Sequence, residues 1–95
     1  MSESILQTEK RCYCTGSCVK LVRHHVMPGT ANRKKAEKYG LWVWLNSDYH
    51  SWIHSSASGA SEKLKELRAD GQRAFEQNHS REEWMEIFHK NYLED

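Results

Sequence analysis

Long apolar runs are missing from this 95-residue chain. The longest, Leu41-Trp-Val-Trp-Leu45, is far short of the roughly 18–20 residues that span a bilayer, so no membrane-spanning helix is expected. Proline occurs once, at Pro28, and only Met27-Pro28-Gly29-Thr30 reads as a proline break in regular structure. Cysteine is scarce and odd in number: Cys12, Cys14 and Cys18. The first residues, Met1-Ser-Glu-Ser-Ile-Leu-Gln7, lack the basic-then-apolar pattern of a signal peptide. A disulfide scaffold is therefore not expected, and a cytoplasmic protein is. The cysteines are expected as small packed residues or free thiols. Net charge is low as well, at +1, which is not the charge of a nucleic-acid coat protein. No internal repeat is present.

What is there is unevenly spread. Residues 1–54 carry eight Lys/Arg against four Asp/Glu, and residues 55–95 carry six against nine. Four of the six histidines lie in the basic half, at His24, His25, His50 and His54. Positive charge around such a cluster favours a phosphate-bearing substrate. The length allows one domain with a small core built largely from Trp, Tyr and Phe. The expected division is a flexible N-terminus over 1–10 and a single domain over 11–95. Within the domain, 11–55 form the working unit and 60–93 form packing helices.

The expected elements follow from local pattern. Arg11–Cys14 and Cys18–Arg23 read as two short strands joined by Thr15-Gly-Ser17, a hairpin that ends at His24 and His25. Ala31 to Tyr39 reads as a loop or one short helical turn ending at Gly40. Leu41–Leu45 is a strand, Asn46-Ser47-Asp48 offers a helix cap, and a helix carries Tyr49 to about Ser55. After the small-residue linker 55–60, a helix starts at Ser61 with Leu64, Leu67 and Phe75 on one stripe and Gly71 weakening its middle. Ser80-Arg-Glu-Glu83 is a capping box for a last helix to about Lys90, burying Trp84, Ile87 and Phe88.

His50 and His54 stand four apart, so a helix places both on one face within reach of one ion. A third ligand comes from the His24-His25 pair. Neighbours on a strand point to opposite sides, so one of the two binds and the other stays free as a base. Three protein ligands with open positions describe a catalytic site rather than a closed structural one.

The order strand, His-His, loop, strand, helix with His-x3-His resembles the ββα-metal motif of HNH endonucleases, the group that includes colicin-type DNases. The stretch from His24 to Leu45 is similar to small HNH proteins of phages and prophages, as are Ala74-Phe75-Glu76 and Ile87–Leu93. A related pattern occurs in phage nucleases that cut DNA alongside the host recombinase. The resemblance implies an α+β fold: a ββα-metal (HNH, His-Me finger) unit with a short N-terminal hairpin and two C-terminal helices. It implies a metal-dependent DNA endonuclease, with His24, His50 and His54 as ligands of one divalent metal and His25 as the base that activates water. Zinc or nickel suits three imidazoles in vitro; magnesium or manganese is the other choice. Arg23 and the loop residues Arg33, Lys34, Lys35 and Lys38 are expected to hold the DNA backbone, with little sequence specificity. A host recombination or phage protein is a candidate partner.

Two positions depart from the family pattern. The family's middle Asn is replaced by Gly40-Leu41, which leaves a backbone carbonyl to orient His25. The Cys-x2-Cys pairs that hold a structural zinc in relatives are absent: Cys12-x-Cys14 has other spacing, and Asn46 and Tyr49 stand at the helix-side positions. Glu37 is expected either to reach a metal-ligating imidazole or to pair with a lysine. Asp48 is expected to do the same or to cap its helix. Trp42, Trp44 and Trp52 are read as core more than as base-stacking residues. The rival reading is a non-catalytic, zinc-stabilised DNA- or protein-binding module, in which His25 is a fourth ligand.

Overall fold

A computed structural model describes residues 3–27 and 29–93. The expected break at Pro28 and the extreme termini lie outside the described residues. The chain is α+β. Strand β1 (Leu21–His25) is followed by helix α1 (Thr30–Tyr39), strand β2 (Trp42–Asn46) and helices α2 (Ser47–Ile53), α3 (Ala60–Glu76) and α4 (Arg81–Phe88). The two strands pair antiparallel, with His24 opposite Val43 and His25 opposite Trp42. No described helix is long and apolar enough to cross a membrane.

The expected N-terminal hairpin does not form. Cys12–Cys14 lie in a turn, and the partner of β1 is β2. The pairing is decided by burial: Val43 and Leu45 of β2 are fully buried, whereas Val19, at the head of the expected strand, is 63% exposed. Nor do residues 3–10 fray as expected. They run along the outer edge of β2 and satisfy its unpaired groups. Ser4 Oγ donates to the Trp42 carbonyl (2.6 Å), Gln7 Oε1 accepts from the Trp44 N–H (2.6 Å), and the Ile5 N–H donates to the Gly40 carbonyl (2.9 Å).

Residues 30–39, expected as a loop or single turn, form a helix of ten residues. Its Ala, Lys, Arg and Glu residues are good helix formers, but only Ala36 is fully buried, so almost no hydrophobic periodicity announces it. Gly40 ends it in the left-handed conformation (φ 71°), donating to the Ala36 carbonyl. A Cβ on Gly40 would run into the backbone carbonyl of Glu3. Leu41 beside it is fully buried. An Asn side chain at position 40 would therefore meet that carbonyl, and one at position 41 would be buried in the core.

β2 passes directly into α2. Asn46 Oδ1 accepts from the N–H groups of Asp48 (3.0 Å) and Tyr49 (3.4 Å), while its Nδ2 donates to the Val19 carbonyl (3.0 Å). This cap starts the helix two residues before the expected Tyr49 and leaves His54 as its C-terminal cap. Ile53, Leu67, Phe75 and Trp84 of α2, α3 and α4 join Leu41, Val43 and Leu45 in one core. The Ser80–Glu83 capping box is present at α4, which ends at Phe88. Gly71 is not a weak point of α3. A Cβ there would stand 2.8 Å from Val26 Cγ2, so the glycine lets the helix lie close against the end of β1.

Candidate active site

Four elements build one open cleft of about 520 Å³, and His24, His25, His50 and His54 all line it. The strand alternation separates the adjacent histidines. His24 turns toward α2, and its ring centroid lies 5.4 Å from those of both His50 and His54. The ligand-capable nitrogens of these three residues lie within 4.8 Å of one another. His25 is not in that group. Its Nε2 meets Glu37 Oε2 of α1 at 2.6 Å.

His24 is only 4% exposed, and its Nε2 is buried without a hydrogen-bond partner. An orphaned buried nitrogen beside two further imidazoles is a polar group still owed a partner. A divalent metal fits that deficit, because imidazole nitrogens are its common donors and three of them leave coordination positions open. Burial pushes the His24 pKa down to about 4, with the charges of His50, His54, His25 and Arg68 acting in the same direction. Burial and the neighbouring His54 also lower that of His50. At neutral pH His24 is thus held in its neutral, metal-binding form.

That shift carries a pH dependence. The unfolded imidazole takes up a proton near 6.5 and the folded one only near 4. Between these values the unfolded chain binds more protons, so acid favours unfolding. Metal-free protein is expected to lose on the order of 2–3 kcal/mol from this group as pH falls through that window. Urea unfolding in EDTA at pH 7 and pH 4.5 measures it. A His24→Gln variant should show a flatter dependence, and equal slopes for both proteins would refute the assignment.

Glu37 is the residue that holds His25. It accepts from the imidazole at one oxygen and from Arg23 Nη1 at the other (2.5 Å). Partial burial raises the Glu37 carboxyl, but the His25 hydrogen bond and the Arg23 charge outweigh it and leave the pKa below its ordinary value. The carboxylate accepts only, so Nε2 carries a proton, and in the neutral ring the lone pair is on Nδ1. The expected backbone carbonyl is replaced by an acidic side chain one helix away. Glu37 thus meets neither a metal-ligating imidazole nor a lysine.

No protein-family model, curated protein or solved structure matches this chain.

The remaining expected site residues separate by geometry. Arg23 is occupied by Glu37 and stacks over Trp42 at 3.9 Å, so it braces the Glu37–His25 pair. Arg33 lines the cleft, while Lys34 and Lys38 are exposed elsewhere on α1. Lys35 Nζ donates to the Ile87 carbonyl (2.8 Å) and ties α1 to α4. The four basic residues therefore do not form one phosphate-binding row. Asp48 lies exposed in the first turn of α2 and does not line the cleft, and the cap it was expected to supply comes from Asn46. Trp42 is buried, Trp44 and Trp52 are half-buried, and Lys10 covers the Trp44 ring at 4.8 Å.

Arg68 of α3 was not among the expected site residues, yet it lines the cleft. The only local signal was its place one turn after Leu64, at the edge of the buried stripe. Arg23, Arg33 and Arg68 all line the cleft, and no described Asp or Glu does.

Proposed function

We propose that this chain is a metal-dependent DNA endonuclease of the HNH type, built on a ββα-metal unit formed by β1, β2 and α2. The observation that carries this reading is the split of two adjacent histidines. His24 joins His50 and His54 around an unsatisfied nitrogen, while His25 is held apart by a carboxylate. A closed four-histidine zinc module would need His25 as a ligand, and His25 lies outside the described group of three clustered imidazoles.

His24, His50 and His54 hold the metal in this reading. When bound, a divalent ion would supply Lewis-acid stabilisation of charge on the phosphate and the leaving oxygen. His25 Nδ1 accepts the proton of the attacking water. Glu37 keeps the ring in the required tautomer and stabilises the imidazolium that forms. Arg23 holds Glu37 in place, and the arginine-lined cleft draws in the DNA backbone. A small phage or prophage nuclease acting with a host recombination protein fits the sequence resemblance.

Supercoiled plasmid incubated with the protein and Mg²⁺, Mn²⁺, Ni²⁺ or Zn²⁺ should be nicked, and EDTA should stop the reaction. Absence of nicking with every metal would overturn the proposal. Glu37→Gln is expected to lower nicking about 10–100-fold, as removal of a group that orients a catalytic imidazole does. Zinc and DNA affinity should stay at wild-type values, and Glu37→Asp should recover part of the rate. Unchanged nicking in Glu37→Gln would show that His25 does not depend on this carboxylate.

A further inference from the structure

The geometry points to Arg68 as a phosphate-binding residue of the histidine cleft, contacting the two non-bridging oxygens of a phosphate in the DNA backbone; this rests on the nuclease reading. Arg68 is partly buried on α3, and its Nε is enclosed without a hydrogen-bond partner. The guanidinium lies over the Tyr92 ring at 6.0 Å, a contact that fixes its plane but supplies no hydrogen-bond acceptor. The acids nearest on the same helix are engaged elsewhere. Asp70 accepts from Arg73 (2.7 Å) and Tyr13 (3.0 Å), and Glu66 accepts from Lys63 (2.9 Å).

The position of Arg68 also suits a chain-like substrate. It lines the histidine cleft and also a neighbouring cleft of about 690 Å³, where Lys65, Arg73 and Lys90 outnumber Glu66 and Asp70. A phosphodiester backbone continuing past the histidines toward the second cleft would meet Arg68, the lining residue common to both. Guanidinium matches the phosphate geometry, presenting two parallel N–H donors to two oxygens. Arg23, the residue expected for this task, is already paired with Glu37. Gly71 lets α3 approach β1 closely, which brings Arg68 to the cleft wall.

The test uses the full chain as wild type, Arg68→Met and Arg68→Lys. Duplex DNA binding is measured by fluorescence anisotropy in EDTA over 50–200 mM salt. Arg68→Met should bind about 5–10-fold more weakly, with a salt slope lower by about one ion. The zinc-induced rise in melting temperature should be equal in all three proteins, because the metal ligands are untouched. A wild-type affinity and slope in a folded Arg68→Met protein would overturn the assignment. If Arg68→Met does not fold, Arg68→Lys decides. A loss of affinity of about threefold or more supports the forked contact, and wild-type affinity overturns it. Arg68-dependent DNA binding without nicking by any metal would leave the phosphate site standing and overturn the nuclease reading instead.

Discussion

Replacing His25 by alanine should lower metal-dependent plasmid nicking by about 10²–10⁴-fold, the range that a positioned general base contributes. Zinc binding and DNA affinity should change little. The reason is the division of labour on β1. His24 faces His50 and His54, and the described ligand cluster does not include His25. The His25 ring meets Glu37 of α1 instead. Metal affinity can be followed by a zinc competition assay and nicking by gel. Loss of the bound metal in His25→Ala would show a fourth ligand and restore the closed-site module. Nicking above about a tenth of the wild-type rate would mean that another group takes the proton of water.

Trp84→Ala should cost about 3–5 kcal/mol of stability, the usual effect of truncating a fully enclosed aromatic. Trp84 has no exposed surface, packs against the rings of Phe75, Phe88 and Tyr92, and donates from Nε1 to the Lys90 carbonyl (2.8 Å). Its loss leaves a cavity where α3, α4 and the C-terminal segment meet and orphans the Lys90 carbonyl. At about 4–8 °C per kcal/mol for a domain of this size, the melting temperature should fall by roughly 15–30 °C. A fall below about 5 °C by thermal melting would contradict the packing. If the proposed metal site is right, saturating zinc should recover part of the loss, because His24, His50 and His54 come together only in the folded state. Alanine at the exposed Met85 serves as the control and should change little.

The parts of the candidate site that sit close together in sequence were legible without the fold. The four-residue spacing of His50 and His54 places both on one helix face, and strand alternation separates His24 from His25. These are consequences of local backbone geometry, and the structure presents the four rings in that arrangement. α3 and α4 were legible from their apolar stripes, and α4 from its capping box. α1 was not, because a helix with one fully buried residue leaves no periodic trace.

The sequence by itself determined the two histidine clusters, the opposite facing of His24 and His25, and the helices with an apolar face. Each follows from periods of two or 3.6 residues within a short span. Only the tertiary structure decided what completes the site. It set Glu37 against His25 across 12 residues, put position 40 against the Glu3 carbonyl and buried position 41 in the core. It also turned Arg23 toward Glu37 and brought Arg68 to the cleft through the close approach at Gly71. These placements depend on how α1 and α3 pack against the sheet, and no local pattern encodes a distance between two helices.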